Sequence, residues 1–192
     1  TGNQFGGIEV EDGTYKAIVT KGKAEEKLSN NGGKDTSKKK SIVVFSNDFD
    51  RAMAAFIIAN GAASMGSEVT LFFTFWGLNL LRKGESVPVK KNLVEKMFGF
   101  MMPRGADKTV LSKMNMGGMG TAMMKGIMRK KNVSSLTELI ENAKENGVKL
   151  VACSMSMDLM GIKKEELIDG VEEGGVAMYL NTAEHGNVNL FI

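Results

Sequence analysis

Cys153 is the only cysteine among the 192 residues, and its thiol is the one soft nucleophile that the chain offers. It follows the mainly apolar run 148–152 and precedes Ser154, where a buried strand is predicted to end and a helix to begin. The free N–H groups at a helix start favour a thiolate, which is the reactive form of cysteine. Free cysteines are also often buried and inert, so position alone leaves both possibilities open.

Two side-chain types, serine and histidine, could assist this thiol. Ser154 and Ser156 are candidate N-caps of the following helix, and either hydroxyl could donate a hydrogen bond to a thiolate. His185 could form a cysteine–histidine pair, although a solvated loop histidine is the commoner situation. Because a dithiol oxidoreductase needs a second cysteine, that class is excluded within one chain.

Other kinds of site find little support in the sequence. The loop 46–50 stands where a flavodoxin-like fold binds phosphate, but it lacks glycine and contains two acids that repel anions. The glycine-rich stretch 117–120 does not follow a predicted strand, so it is not a nucleotide fingerprint. No residues have the spacing of metal ligands. We therefore predict neither a cofactor nor a metal.

Composition indicates a globular cytoplasmic domain. Hydrophobic residues make up 43% of the chain, and the net charge of +3 is too small to favour nucleic-acid binding. The longest apolar run, residues 69–81, is shorter than the roughly 20 residues that span a bilayer. A lone free thiol suits a reducing compartment, so we predict a cytoplasmic location and no membrane span.

The order of apolar segments predicts an α/β fold that positions Cys153 at a strand end. Strands are predicted over residues 42–45, 68–73, 148–152, 176–179 and 188–192. Helices are predicted over residues 51–64, 93–98, 108–113, 120–130, 136–146 and 164–169. Ser135 and Glu138 have the spacing of a capping box at the start of one helix. Alternating strands and helices imply a mainly parallel sheet with helices on both faces.

The first forty residues differ from the rest. Apolar and polar residues alternate on both sides of Asp12 and Gly13, which predicts a hairpin within residues 1–20 that needs a body to pack on. Residues 21–40 carry seven lysines against three acids and are predicted to be a flexible linker. The α/β domain is predicted over residues 41–192.

Methionines concentrate between residues 97 and 128, which hold nine of the fifteen in the chain. They could fill an irregular core, form an adaptable partner surface or a lid over Cys153, or bind a soft metal. The last option is weakened because no cysteine or histidine lies nearby. Together with the apolar run 72–81, this segment exceeds what one sheet needs for its core, so we predict a homo-oligomer.

Several segments together closely resemble the DsrE/DsrF-like family, in particular its DrsE-like branch. The matching segments are VFS at 44–46, AAF at 54–56, FFTFWGL at 72–78, KMNMGGMG at 113–120, ACSMSMDLMG at 152–161 and GGVA at 174–177. The resemblance covers residues 41–192 and implies a five- or six-stranded, three-layer α/β domain of flavodoxin-like type. It also implies oligomers and sulfane sulfur carried on Cys153. Asn115 is a further candidate supporting residue beside Ser154 and Ser156.

The N-terminal segments TGN at 1–3 and EDGTYKA at 11–17 resemble the C-terminal end of a SirA/TusA-like sulfur-carrier domain. The DrsE-like branch is often fused to SirA/TusA-like, rhodanese and flavin-dependent disulfide reductase domains. We therefore expect residues 1–20 to be the remnant of such a domain in a longer fusion protein.

The resulting hypothesis is a sulfur carrier or sulfurtransferase that holds a persulfide on Cys153 and passes it to a partner thiol. SirA/TusA-like or rhodanese-like proteins are the expected donors and acceptors. Two alternatives stay open: a non-catalytic assembly module of a larger disulfide oxidoreductase, in which Cys153 is inert, and an α/β domain that binds flavin or another small molecule.

Overall fold

The computed structural model describes residues 3–11, 14–21 and 39–192, which divide into a hairpin and an α/β body. In the hairpin, β1 (Asn3–Glu11) pairs antiparallel with β2 (Thr14–Lys21), as the alternating pattern predicts. Of the predicted linker over residues 21–40, residues 22–38 lie outside the described part of the chain. Lys39 and Lys40 already belong to the first strand of the body.

The body contains a five-stranded parallel sheet in the order β6-β5-β4-β3-β7. Its strands are β3 (Lys39–Val44), β4 (Glu68–Phe73), β5 (Lys149–Cys153), β6 (Val171–Gly174) and β7 (Val188–Phe191). Because all strands are parallel, their carboxyl ends meet at one edge of the sheet, where ligands and chemistry commonly gather in open α/β folds. The segments that follow β4 and β5 therefore begin side by side at that edge.

Within residues 39–192, six α-helices and four short 3₁₀ segments connect the strands. The helices are α1 (Phe49–Ser64), α2 (Leu93–Met101), α3 (Met119–Lys130), α4 (Leu136–Glu145), α5 (Ser154–Met160) and α6 (Val176–Glu184). The 3₁₀ segments are Phe75–Leu81, Ala106–Lys108, Met116–Gly118 and Lys164–Glu166. Within the described ranges, none of the helices combines the length and apolarity needed to cross a bilayer.

Strand alternation divides the buried side chains between the two faces of the sheet. Leu71, Phe73 and Leu150 face the main core together with the apolar sides of α1 and α4. Phe72 and Val151, one position along, lie on the opposite face with Cys153, where α6 packs. The predicted α/β architecture with helices on both faces is thus confirmed.

Three predicted elements are wrong. Residues 176–179 start helix α6, and the strand expected there is instead β6, which ends at Gly174. The short apolar run 176–179 fits either a strand or a helix, so its periodicity did not distinguish them. Strand β6 lacks an apolar run because it is an edge strand that pairs only with β5 and exposes Glu172 and Glu173. The helices predicted over 108–113 and 164–169 are limited to the 3₁₀ segments Ala106–Lys108 and Lys164–Glu166.

Candidate functional site

Cys153 is the last residue of β5 and the N-cap of α5, with an extended backbone. Its exposed fraction is 1%, and it forms a small apolar cluster with Phe72 and Val151 of the sheet. Tyr179 of α6 packs on this cluster, with its ring centroid 5.1 Å from that of Phe72. The structure therefore places the thiol at the predicted junction of strand and helix, but buries it beneath α6.

Gly174 allows α6 to pack closely beside this thiol. It is the partner of Cys153 across the β5–β6 pairing. A Cβ on Gly174 would lie 2.8 Å from Val151 Cγ1 and 2.5 Å from Met178 Sδ, closer than packed atoms tolerate. The missing side chain thus makes room for Met178 of α6 beside Val151, which belongs to the Cys153 cluster.

The two serines that follow Cys153 have different surroundings from those expected. Ser156 is fully buried, and its Oγ lies 2.7 Å from Thr74 Oγ1, so it joins α5 to the end of β4. Ser154 is half-buried at the first position of α5. Among the residues that the structure describes, neither hydroxyl forms a hydrogen bond with the Cys153 sulfur, and Cys153 itself occupies the N-cap position.

Asn115 and His185 form hydrogen bonds outside the Cys153 cluster. Asn115 Oδ1 accepts a 2.8 Å hydrogen bond from Thr121 Oγ1, which links the start of α3 to the loop before it. His185 is exposed at the C-cap of α6, and its Nδ1 lies 2.6 Å from the carbonyl oxygen of Asn181. Neither residue belongs to the cluster around the thiol.

Most methionines between residues 97 and 128 are exposed, which contradicts the interpretation that they fill a core. Met102 is buried and Met128 is half-buried against the main core. The exposed members are Met97, Met101, Met114, Met116, Met119, Met123 and Met124. None of these nine belongs to the apolar cluster around Cys153, against which Tyr179 of α6 packs instead. Within residues 39–192, no group of three metal-binding His, Cys, Asp or Glu side chains comes together.

An aromatic rim lies where β4 ends, directly after Thr74. Phe75 and Trp76 are both exposed, Trp76 to 49%. Phe75 has a φ of 45°, in the left-handed region that is unusual for a bulky residue, and its ring centroid lies 5.6 Å from that of Phe45. The rim therefore presents apolar surface at the same edge of the sheet where β5 delivers Cys153.

Sequence reasoning missed Tyr179 and Thr74 as neighbours of the site. Tyr179 was missed because residues 176–179 were predicted to form a strand. A helix prediction for the same apolar run would have placed Tyr179 on a helix packed against the sheet. Thr74 lies in the family-like segment 72–78, but no local pattern links it to Ser156, 82 residues along the chain.

Residues 36–191 match the sequence model of the DsrE/DsrF/DrsH-like protein family. The "Uncharacterized protein YrkE" of Bacillus subtilis is 61% identical over 158 residues, covering 82% of this chain and 99% of that protein. The "Sulfur carrier protein DsrE2" of Allochromatium vinosum is 41% identical over 162 residues, covering 81% of this chain and 98% of that protein.

One solved structure with a similar chain course is that of the ychN protein from E. coli. It shares 14% identity with a TM-score of 0.48, covering 81% of this chain and 99% of that one.

Proposed function

Because this chain belongs to the DsrE/DsrF/DrsH-like family, we propose that it is a sulfur carrier that holds sulfane sulfur as a persulfide on Cys153. The observation that carries the proposal is the position of the only cysteine, at the carboxyl end of β5 and the N-cap of α5. The 41% identity to a protein named as a sulfur carrier supports it. Thiolates are stabilised where backbone N–H groups are free at the start of a helix.

The proposed reaction needs one cysteine and no external oxidant. The Cys153 thiolate attacks the outer sulfur of a donor persulfide, R–S–SH, forming a new S–S bond. The old S–S bond breaks and its electron pair leaves with the donor as R–S⁻. An acceptor thiolate then attacks the outer sulfur of the Cys153 persulfide, and Cys153 departs as a thiolate. Each step exchanges one S–S bond for another.

We propose that access to the buried thiol requires α6 to move, since Tyr179 of α6 packs on its cluster. None of its nine residues, all of them described, is buried, and Tyr179 is one of three that are half-buried. Segments with few buried contacts open at low free-energy cost. We therefore place the exchange in an open state of α6, with the closed state protecting a loaded persulfide from water and oxidants.

Partner thiols would approach at the carboxyl edge of the sheet. The exposed rings of Phe75 and Trp76 provide apolar surface there, as protein interfaces commonly do. SirA/TusA-like or rhodanese-like proteins are the proposed donors and acceptors in the cytoplasm. We further propose that residues 1–20 derive from a SirA/TusA-like domain joined by the linker 21–40 to the carrier domain 41–192.

We also propose that the chain self-associates through its exposed apolar side chains. Most residues of the apolar run 72–81 are buried, so they offer little surface to a second copy. Exposed apolar side chains are found elsewhere, for example Leu180 on α6 and Met123 on α3. Light scattering of the purified chain tests this directly. A concentration-independent monomer would contradict self-association without bearing on the sulfur chemistry.

The carrier function is tested by loading and weighing the intact protein. After incubation with inorganic polysulfide and removal of excess reagent, the wild-type chain is expected to gain one sulfur atom, and Cys153→Ser is expected to gain none. A thiol acceptor should then return the wild-type mass to its starting value. No gain by the wild type, or an equal gain by Cys153→Ser, would refute the proposal.

A second function, a non-catalytic assembly module, is favoured by one observation: the 1% exposed fraction of Cys153. In that role the cysteine is a small core residue. Native-state alkylation separates the two functions. A carrier should react at a measurable fraction of the rate of the unfolded chain, whereas a module should be protected almost completely and take up no sulfur.

A further inference from the structure

A second cluster of charged side chains surrounds Glu166, outside the Cys153 cluster. The Glu166 carboxylate is 1% exposed and lies 3.3 Å from both Arg82 Nη2 and Arg104 Nη1, while its other oxygen contacts Lys91 Nζ. The same carboxylate oxygen that contacts Lys91 accepts a 3.0 Å hydrogen bond from the backbone N–H of Lys163. The side chain of Arg82 is fully buried and that of Lys91 nearly so.

The charges of this cluster do not balance. Arg82, Lys91 and Arg104 supply three cations, and Glu166 is the one carboxylate paired with all three, so two positive charges are left over. The pKa of Arg82 is lowered, because its burial and its repulsion by Arg104 outweigh the attraction of Glu166. A buried charge is costly unless an opposite charge and hydrogen bonds compensate it.

Buried hydrogen-bond donors without partners lie in the same cluster. Arg82 Nε and Asn79 Nδ2 both lack a hydrogen-bond partner within the described part of the chain. The two residues also touch each other, since Arg82 Nη1 donates to Asn79 Oδ1 at 3.2 Å. Buried polar groups are nearly always satisfied, and what these two donors lack is an acceptor.

The cations converge on one point beside Gly99. Arg82 Nη2, Lys91 Nζ and Arg104 Nη2 all lie within 3.9 Å of the position that a Cβ on Gly99 would take. A cavity of about 760 Å³ opens at this place, and its walls include Gly99, the cations Lys91, Lys96, Arg104 and Lys108, and the Glu166 carboxylate that is already paired with Lys91 and Arg104. A Cβ on Gly99 would make only ordinary contacts with these nitrogens, and the open cavity lies beside them.

We propose that this cavity binds a tetrahedral oxyanion with two negative charges, of the sulfate, thiosulfate or phosphate type, held by Lys91 and Arg104 at the cavity wall. Arg82 is buried against Glu166 and adds its positive charge without lining the cavity. Such a dianion matches the two uncompensated charges, and its oxygens accept several charge-assisted hydrogen bonds at once. The exposed Lys96 and Lys108 at the cavity wall raise the local concentration of anions. The site is independent of sulfur transfer by Cys153.

Calorimetric titration of the full chain with sodium sulfate, sodium thiosulfate and inorganic phosphate tests the site, at constant ionic strength maintained with chloride. One saturable site per chain is expected for at least one dianion. Tighter binding of the two sulfur oxyanions would assign the site to sulfur chemistry, and tighter binding of phosphate to a phosphate-bearing ligand. Absence of saturable binding by all three would overturn the proposal.

Two variants locate the binding. Gly99→Ala keeps every charge and replaces glycine with a better helix former inside α2, so the fold should be retained while a methyl group is added to the cavity wall beside the Lys91 and Arg104 nitrogens. Arg104→Gln removes one half-buried cation. Each is expected to raise the dissociation constant about tenfold or more, as for the loss of a charge-assisted hydrogen bond.

Arg129→Gln is the matched control, because Arg129 is an exposed arginine on α3 outside this cavity. It should bind the anion as tightly as the wild type. Wild-type affinity in Gly99→Ala, or an equal loss of affinity in Arg129→Gln, would show diffuse surface binding and overturn the site. Melting temperatures measured without the anion confirm that each variant is folded.

Discussion

The hydroxyl oxygens of Thr74 and Ser156 lie 2.7 Å apart and join the end of β4 to the first turn of α5. Cys153 is the N-cap of α5 and lies three residues before Ser156 in the chain. The bond therefore couples the strand that carries the aromatic rim to the helix that follows the thiol. It holds the carboxyl edges of β4 and β5 in a fixed relation.

Ser156→Ala tests this connection. Because Ser156 is fully buried and shares a hydrogen bond with Thr74, its removal should lower the free energy of unfolding by about 1–2 kcal/mol. Urea unfolding measures the change. Ser154→Ala at the half-buried neighbouring position is the control and should have a smaller effect; equal losses in the two variants would contradict a specific role of the bond.

Tyr179→Ala should expose the Cys153 thiol. Losing the ring that packs on Phe72 removes both buried area and an aromatic contact, so alkylation of the native protein should accelerate about tenfold or more. The rate is followed by intact mass with a small alkylating reagent. Leu180→Ala, on an exposed position of the same helix, should leave it unchanged. An unaltered rate in Tyr179→Ala would mean that another element controls access.

Gly174→Ala should loosen the packing of α6 against the sheet beside Cys153. The added methyl group would collide with Val151 and Met178, which we expect to cost about 1–3 kcal/mol of stability and to speed alkylation of Cys153. The adjacent Gly175 has open space at its Cβ position, so Gly175→Ala is a matched control. Similar stability in the two alanine variants would argue against tight packing at Gly174.

Glu166 should contribute to stability at neutral pH and lose that contribution in acid. The pKa of Glu166 lies below its ordinary 4.5. Burial of the carboxyl group raises this pKa, but Lys91, the Lys163 N–H and Arg82 stabilise the carboxylate and lower it by more. Its contribution is therefore complete above pH 4.5 and is lost as the pH falls through the lowered folded pKa.

Glu166→Gln isolates this contribution. At pH 7 it should lower the free energy of unfolding by about 3–5 kcal/mol, because three cations lose their shared carboxylate. The difference from the wild type should shrink as the pH falls below 4.5 and through the lowered folded pKa of Glu166, at which the wild-type carboxyl also becomes neutral. Glu165→Gln changes an exposed neighbour and should have little effect. A difference that stays constant across the acid range would contradict the assigned ionisation.

Local sequence patterns were sufficient for much of the fold because they depend on interactions between residues near in the chain. The capping box at α4 is an example: Ser135 Oγ accepts from the N–H of Glu138, and Glu138 Oε2 accepts from the N–H of Ser135. The strand that ends at Cys153 and the helix that follows it were predictable for the same reason. Segments such as 176–179, whose apolar run fits two periodicities, were not.

The sequence by itself determined the single thiol, its place between a strand and a helix, and the family of the α/β domain. Only the tertiary structure decided that Tyr179 covers this thiol and that Arg82, Lys91 and Arg104 meet around Glu166. Burial and charge pairing arise from contacts between segments far apart in the chain, which the packing of helices against the sheet brings together. No local periodicity records which distant side chains become neighbours.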